Sequence, residues 1–244
     1  MTAGEPCFLL LHGLGATGAV WAPVAELLAA RGAGRSIAPD LPGHGAAQWT
    51  ASYSVGAAAA QVAAAVTGEA RLYVIGHSFG GYVALALASG WFGARVRGVL
   101  TVGTKLTFSD EERRRAAELA RRPARTFATH DEAIDRYRKV SGLDTSLAPG
   151  EALLGRGTVR DAGGYRLAAD PATLGVEVPP FAALLAAVHC PVLATRGEHD
   201  ALVSSAELHA AARGAVDVPG LGHNLHVEDP AALVALVDRL LAAP

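Results

Sequence analysis

The stretch Leu72-Tyr73-Val74-Ile75-Gly76-His77-Ser78-Phe79-Gly80-Gly81 limits what this chain can fold into more than any other. An apolar run stops at glycine, one serine stands between His77 and Phe79, and apolar residues restart at Tyr82-Val83-Ala84-Leu85-Ala86-Leu87 with helical rhythm. The pattern predicts a strand, a tight turn and a helix, with Ser78 at the apex. A turn this sharp forces its apex residue into a strained backbone conformation. A Cβ at Gly76 or Gly80 would collide with the neighbouring backbone. The strain holds the hydroxyl out of the sheet, where a base can reach it. A serine in a glycine-rich turn can match this five-residue spacing by chance; its place between a buried strand and a helix argues for a nucleophile.

The rest of the chain repeats the strand–helix theme. Residues 7–11 form a continuous apolar run, expected to be a strand buried on both faces. It leads into His12-Gly13-Leu14-Gly15, and a helix is expected over about 20–30. A short strand at 35–39 precedes the turn-rich Asp40-Leu41-Pro42-Gly43-His44-Gly45, and Ser54 caps an alanine-rich helix to about 67. After the serine turn come a helix to about 89 and a strand at 96–102. The alternation resumes with a strand at 191–195, the loop 196–200, a helix at 204–212, a strand at 215–218, the loop 219–223 and a closing helix at 230–241. Such alternation predicts an α/β fold with a mainly parallel, doubly wound sheet.

Residues 105–188 break the pattern. They hold 13 of the 21 Lys and Arg and 12 of the 23 Asp and Glu, and Ser109 with Glu112 forms a capping box ahead of a helix at about 111–122. The segment reads as a helical insertion lying outside the sheet, with Asp161-Ala162-Gly163-Gly164-Tyr165 a turn bringing it back. Arg113 to Arg115, Arg121, Arg122 and Arg125 alternate with acids, so they read as a solvated helix face rather than an anion site.

Several function classes lose support on composition. A net charge of −2 without a basic stripe gives nucleic acid no footprint. No run of about 18 apolar residues suggests a membrane span. No basic region precedes the first apolar run, so a cytoplasmic protein is expected rather than a secreted one. Cys7 and Cys190 sit in or beside apolar runs and read as buried free thiols rather than a disulfide. No Cys/His spacing resembles a zinc site and no phosphate-binding glycine loop is present, so neither metal nor cofactor is expected.

A serine hydroxyl needs a base, and the base needs an acceptor to fix its tautomer. Ser78, Asp200 and His223 all fall after predicted strands, whose carboxyl ends share one edge of a parallel sheet. Their order along the chain suits a serine turn of this kind. His226 is the rival base and Glu198 the rival acid; His12 reads as a brace, His77 as packing beneath the serine, and Asp40 as a structural or pocket-forming residue. The amides of Leu14 and Phe79 are the expected donors to a developing oxyanion. His12, Leu14, Phe79, Leu202 and Asn224 are the expected pocket residues.

Taken together, Leu11-His12-Gly13-Leu14-Gly15, Asp40 to Gly45, Gly76 to Gly81, Arg196-Gly197-Glu198-His199-Asp200 and Gly222-His223-Asn224 resemble the α/β-hydrolase fold family, specifically its small capped serine hydrolases. The motifs span nearly the whole chain in the family's order. The resemblance implies a core of 1–104 and 189–244, with a helical cap, 105–188, inserted after the sixth strand of the family scheme. Members often begin with a two-strand hairpin; six residues before the first strand leave room for little of it.

The scaffold carries many reactions. A serine in the nucleophile position sets aside the aspartate-nucleophile branch and leaves esters, lactones, thioesters, amides and certain C–C bonds. Hydrolysis of a small or medium apolar carboxylic ester is the working expectation, with a small-molecule substrate and neither nucleic acid nor membrane as partner. A C–C bond hydrolase, thioesterase or lactonase using the same residues is the alternative, and a ligand receptor on this scaffold the non-enzymatic one.

Overall fold

Residues Cys7–Leu11 carry no polar side chain, and the structure, a computed structural model describing residues 4–143 and 152–242, buries all five completely. This strand, β1, divides its side chains by the two-residue period of extended backbone. Cys7, Leu9 and Leu11 enter the core on one face of the sheet, and Phe8 and Leu10 enter the other. Removing four large apolar side chains from water contributes on the order of 10 kcal/mol before the entropy of ordering is subtracted.

β1 lies inside a six-stranded parallel sheet. Its order is β2 (Arg35–Ile37), β1, β3 (Leu72–His77), β4 (Val96–Val102), β7 (Val192–Gly197) and β8 (Val216–Val218). Helices α2 (Val55–Ala65), α3 (Phe79–Ala88) and α7 (Phe181–Ala186) supply the apolar residues on one face; α1 (Ala22–Ala30) and α10 (Pro230–Leu241) supply them on the other. The sheet is doubly wound, as the alternation of elements predicts. The serine turn is tighter than its apolar pattern suggests, because β3 runs on through His77 and α3 starts at Phe79.

The winding sets where a site can form. From β1 the chain moves outward to β2, then returns to β3 on the opposite side of β1. The loops following β1 and β3 therefore part, and the gap between them opens at the carboxyl ends of the strands.

Between β4 and β7 the chain leaves the sheet. It forms α4 (Asp110–Ala120), α5 (His130–Ser141), α6 (Ala152–Gly155), a 3-10 turn at Pro171–Gly175 and then α7. Ser109 and Glu112 make the expected capping box, and Thr129 with Glu132 makes a second one at the start of α5. The segment is not purely helical. Thr158–Asp161 (β5) and Gly164–Leu167 (β6) pair antiparallel, and the glycine-rich turn expected around residue 163 is the turn of this hairpin. Gly164 needs its glycine there: φ is +139°, and a Cβ would lie 2.3 Å from the Phe127 carbonyl oxygen.

Both cysteines are free; Cys7 is wholly buried, and burial pushes each thiol up to about 11. Among the described residues no helix is long and apolar enough to cross a membrane.

Candidate active site

Ser78 stands between β3 and α3 with φ 51° and ψ −116°, the only non-glycine residue with positive φ among those described. Holding such a conformation costs about 1–3 kcal/mol, so the surroundings must over-determine it. They do. The Ser78 amide donates to the Val102 carbonyl at 2.8 Å, and its own carbonyl accepts from the Gly81 amide at 3.0 Å and the Thr104 hydroxyl at 3.2 Å. A Cβ on Gly76 would stand 2.2 Å from the Gly80 carbonyl oxygen, and one on Gly80 would stand 2.3 Å from that of Leu11. Both glycines are required by close backbone approach.

Asp200 and His223 arrive from the loops after β7 and β8. His223 Nδ1–H donates to Asp200 Oδ2 at 2.9 Å, and the other carboxylate oxygen accepts from the Leu202 amide at 2.8 Å. The Asp200 side chain is wholly shielded from solvent, whereas the imidazole is partly exposed. With Nδ1 spent on the carboxylate, Nε2 carries the lone pair. Ser78 and His223 line one cavity of about 480 Å³, and the serine hydroxyl has no hydrogen-bond partner among the described residues. Glu198, the rival acid, accepts from the Gly220 amide at 2.8 Å and so ties two loops together.

Arg196, at the end of β7, shapes the loop that carries Asp200. Its guanidinium donates to the carbonyls of Glu198 (3.0 Å) and Asp200 (2.8 Å) and pairs with Asp217 at 3.1 Å. Its task is visible only in the fold, where the nearly buried guanidinium meets carbonyls two and four residues on.

Four other histidines surround the site, and all are buried. His12 Nδ1–H donates to the Gly13 carbonyl (2.8 Å) while Nε2 accepts from the Leu41 amide (2.9 Å). His44 is arranged the same way, between the Pro42 carbonyl (3.1 Å) and the Gly15 amide (3.0 Å). Because a backbone amide can only donate, both rings are neutral and their tautomers fixed. Burial drives His12 down to about 3, with the neighbouring His44 adding to it, and burial lowers His44 also. Asp40 accepts from the amides of Gly18 (2.8 Å) and Ala46 (2.9 Å), so the loops after β1 and β2 are laced by side chains.

His77 packs against His223, ring centroids 4.7 Å apart, with its Nε2–H donating to the His223 carbonyl at 3.1 Å. Burial first, then His226 and His223, hold it well below its usual 6.5. His226, the rival base, is 1% exposed and stacks between Trp21 and His77 at 4.4 Å from each. Burial pushes it down to about 3, and its Nδ1 has no partner among the described residues.

The amides of Leu14 and Phe79 donate no hydrogen bond among the described residues. Both residues line the cavity, as does Leu202. The other two expected pocket residues do not. His12 is fully buried with both nitrogens engaged; Asn224, buried with Nδ2 donating to the Gly142 carbonyl at 2.8 Å, instead borders an adjoining hollow with Asp200, Leu202 and His223. The opposite wall comes from Phe108 just before α4, from Arg113, Ala116 and Ala117 on α4, and from Leu174 in the 3-10 turn. A Lys105–Glu112 ion pair stands on the same wall, holding Glu112 down to about 2. The arginines of this helical insertion read as a solvated face, yet Arg113 shares its face with Ala116 and Ala117, three and four residues on, and all three line the cavity.

Residues 8–236 match the sequence model of the Alpha/beta hydrolase family. The chain belongs to that family. It is 36% identical over 89 residues to Lipase LipV of Mycobacterium tuberculosis (strain ATCC 25618 / H37Rv), a match covering 36% of this chain and 33% of that protein. The chain thus spans about a third of the length of this curated relative. Among solved structures, E-2-(Acetamidomethylene)succinate Hydrolase superposes with a TM-score of 0.79 at 24% identity, covering 99% of this chain and 93% of that one. The esterase Rv0045c from Mycobacterium tuberculosis superposes with a TM-score of 0.70 at 25% identity, covering 98% and 84%.

Proposed function

We propose that this member of the alpha/beta hydrolase family is a serine hydrolase of small or medium carboxylic esters. The observation that carries the reading is the wholly buried Asp200 carboxylate fixing His223 through Nδ1, with the imidazole on the same cavity as the strained Ser78. In this reading Ser78 Oγ attacks the ester carbonyl and His223 Nε2 takes its proton. The free amides of Leu14 and Phe79 stabilise the oxyanion, because a preorganised donor needs no reorganisation as charge develops. His223 then protonates the departing alkoxide, leaving an acyl-enzyme. A water molecule that gives its proton to His223 attacks the acyl carbon, and collapse returns Ser78 and releases the acid. No metal or cofactor enters these steps.

We assign residues 105–188 the role of a cap over a core of 1–104 and 189–244. Support comes from α4 and the segment near Leu174, which share a cavity wall with Ser78. The apolar surface of Leu14, Phe79, Phe108, Ala116 and Ala117 suits an apolar acyl or alkoxy group. Arg113 on that wall is the polar feature that a thioester, lactone or C–C substrate with a second oxygen function would use, and it supports that as the second reading.

Turnover of a short-chain aryl ester by wild type and Ser78→Ala tests the main reading. The substitution is expected to lower kcat by on the order of 10⁴-fold, the scale of losing a triad nucleophile. Activity within tenfold of wild type would sink it.

A further inference from the structure

Beside the ester cavity lies a second hollow of about 290 Å³. Arg122 and Arg125 reach it from the end of α4 and the loop beyond, and Arg136 reaches it from α5. All three are exposed, and they line one concavity from three separate places in the chain. None of the three has an ion-pair partner among the described residues. The single carboxylate on the wall, Asp170, is already engaged: Oδ2 accepts from the Tyr53 hydroxyl at 2.6 Å and Oδ1 from the Ala172 amide at 3.0 Å. Arg125 is steadied over the Phe127 ring at 4.8 Å. Phe127, Val140 and Leu167 give the floor an apolar surface.

Guanidinium groups stay charged at every working pH, so an anion held in this hollow would be attracted by all three. Their planar fork matches a carboxylate or phosphate. The hollow also adjoins the ester cavity. Leu174 belongs to both walls, and Gly15 on this one follows Leu14 on the other. Gly15 makes the approach possible, since a Cβ there would stand 2.7 Å from Val140 Cγ1.

We propose that this hollow receives the oxyanion end, carboxylate or phosphate on an apolar stem, of the substrate whose ester carbonyl lies at Ser78. The inference rests on the ester-hydrolase reading above. Aryl half-esters of dicarboxylic acids of increasing length, each beside its neutral methyl-capped counterpart, test it on wild type and on Arg122→Gln/Arg125→Gln/Arg136→Gln. At one or more lengths wild type is expected to show a KM at least tenfold lower for the acid-ended ester. The triple variant should bring that ratio to within twofold of one, while kcat/KM for the neutral ester stays within twofold of wild type and the thermal midpoint holds. An ω-phosphate ester series run in parallel assigns the oxyanion: the series with the larger ratio names it. A ratio near one at every length in wild type, or a ratio that survives in the triple variant, overturns the proposal. Should wild type hydrolyse no ester at all, the ester-hydrolase reading falls, and calorimetric titration with inorganic pyrophosphate then decides the hollow alone. Binding lost in the triple variant keeps it as an oxyanion site; no binding, or equal binding in both proteins, removes it.

Discussion

Mild acid should unfold this protein through its buried histidines, and His226 isolates one share of the effect. His12, His44, His77 and His226 are all held neutral by burial, with His12 and His226 pushed down to about 3. In the unfolded chain each ring returns to about 6.5 and takes up a proton below that pH. The native state therefore binds fewer protons, and stability present above pH 6.5 is lost as pH falls toward 3. At pH 5 a ring whose native value lies near 3 is still neutral when folded and almost fully charged when unfolded. One and a half pH units at about 1.4 kcal/mol each give a loss of about 2 kcal/mol per ring. His12 and His226 together account for about 4 kcal/mol, with His44 and His77 adding in the same direction. The size of that loss at pH 5 depends on the unfolded value and hardly on how far below 5 the native value lies. Urea unfolding at pH 7.5 and pH 5 measures it directly. In His226→Phe the ring keeps its stacking partners Trp21 and His77 and leaves no unpaired nitrogen. That variant should be no less stable than wild type at pH 7.5 and should lose about 2 kcal/mol less on going to pH 5. Equal stability of wild type at the two pH values, or an unchanged pH loss in the variant, would refute the reasoning.

Two further substitutions probe the site's supports. Gly76→Ala puts a Cβ against the Gly80 carbonyl, a backbone group that cannot swing aside, and should cost about 3 kcal/mol in chemical denaturation along with most of the ester turnover. Asp200→Asn should lower kcat by roughly 10⁴-fold through loss of the correct imidazole tautomer. Glu198→Gln, which touches only the Gly220 amide, should stay within about threefold, and reversal of that order in steady-state assays would reassign the acid.

The sequence spoke clearly wherever chemistry and backbone geometry coincide. Gly76, Ser78 and Gly80 could be read because a strained turn tolerates few residues, and Asp200 and His223 because loops after parallel strands share one edge. His12 is the brace it was also read as rather than a wall of the cavity at Ser78, and Asn224 borders the hollow beside His223 instead, for an equally physical reason. Whether a polar side chain faces a cavity or braces a loop depends on amides such as Leu41 and carbonyls such as Gly142, 29 and 82 positions away. The β5–β6 hairpin escaped because its strands are four residues long and half-polar, so only its turn announced itself. The second capping box, Thr129-His130-Asp131-Glu132, was in plain view and passed over. The walls built by α4 were hidden for another reason. Arg113 and Arg122 look like solvated charges until the fold shows which hollow each one lines.

Labelling with a fluorophosphonate, followed by intact mass and peptide mapping, tests most directly whether Ser78 is an activated nucleophile. One phosphonyl group per chain, carried on Ser78 and formed far more slowly in His223→Ala, is the result expected. Stoichiometric labelling of another residue, or a Ser78 that stays unmodified while esters are turned over, would contradict it.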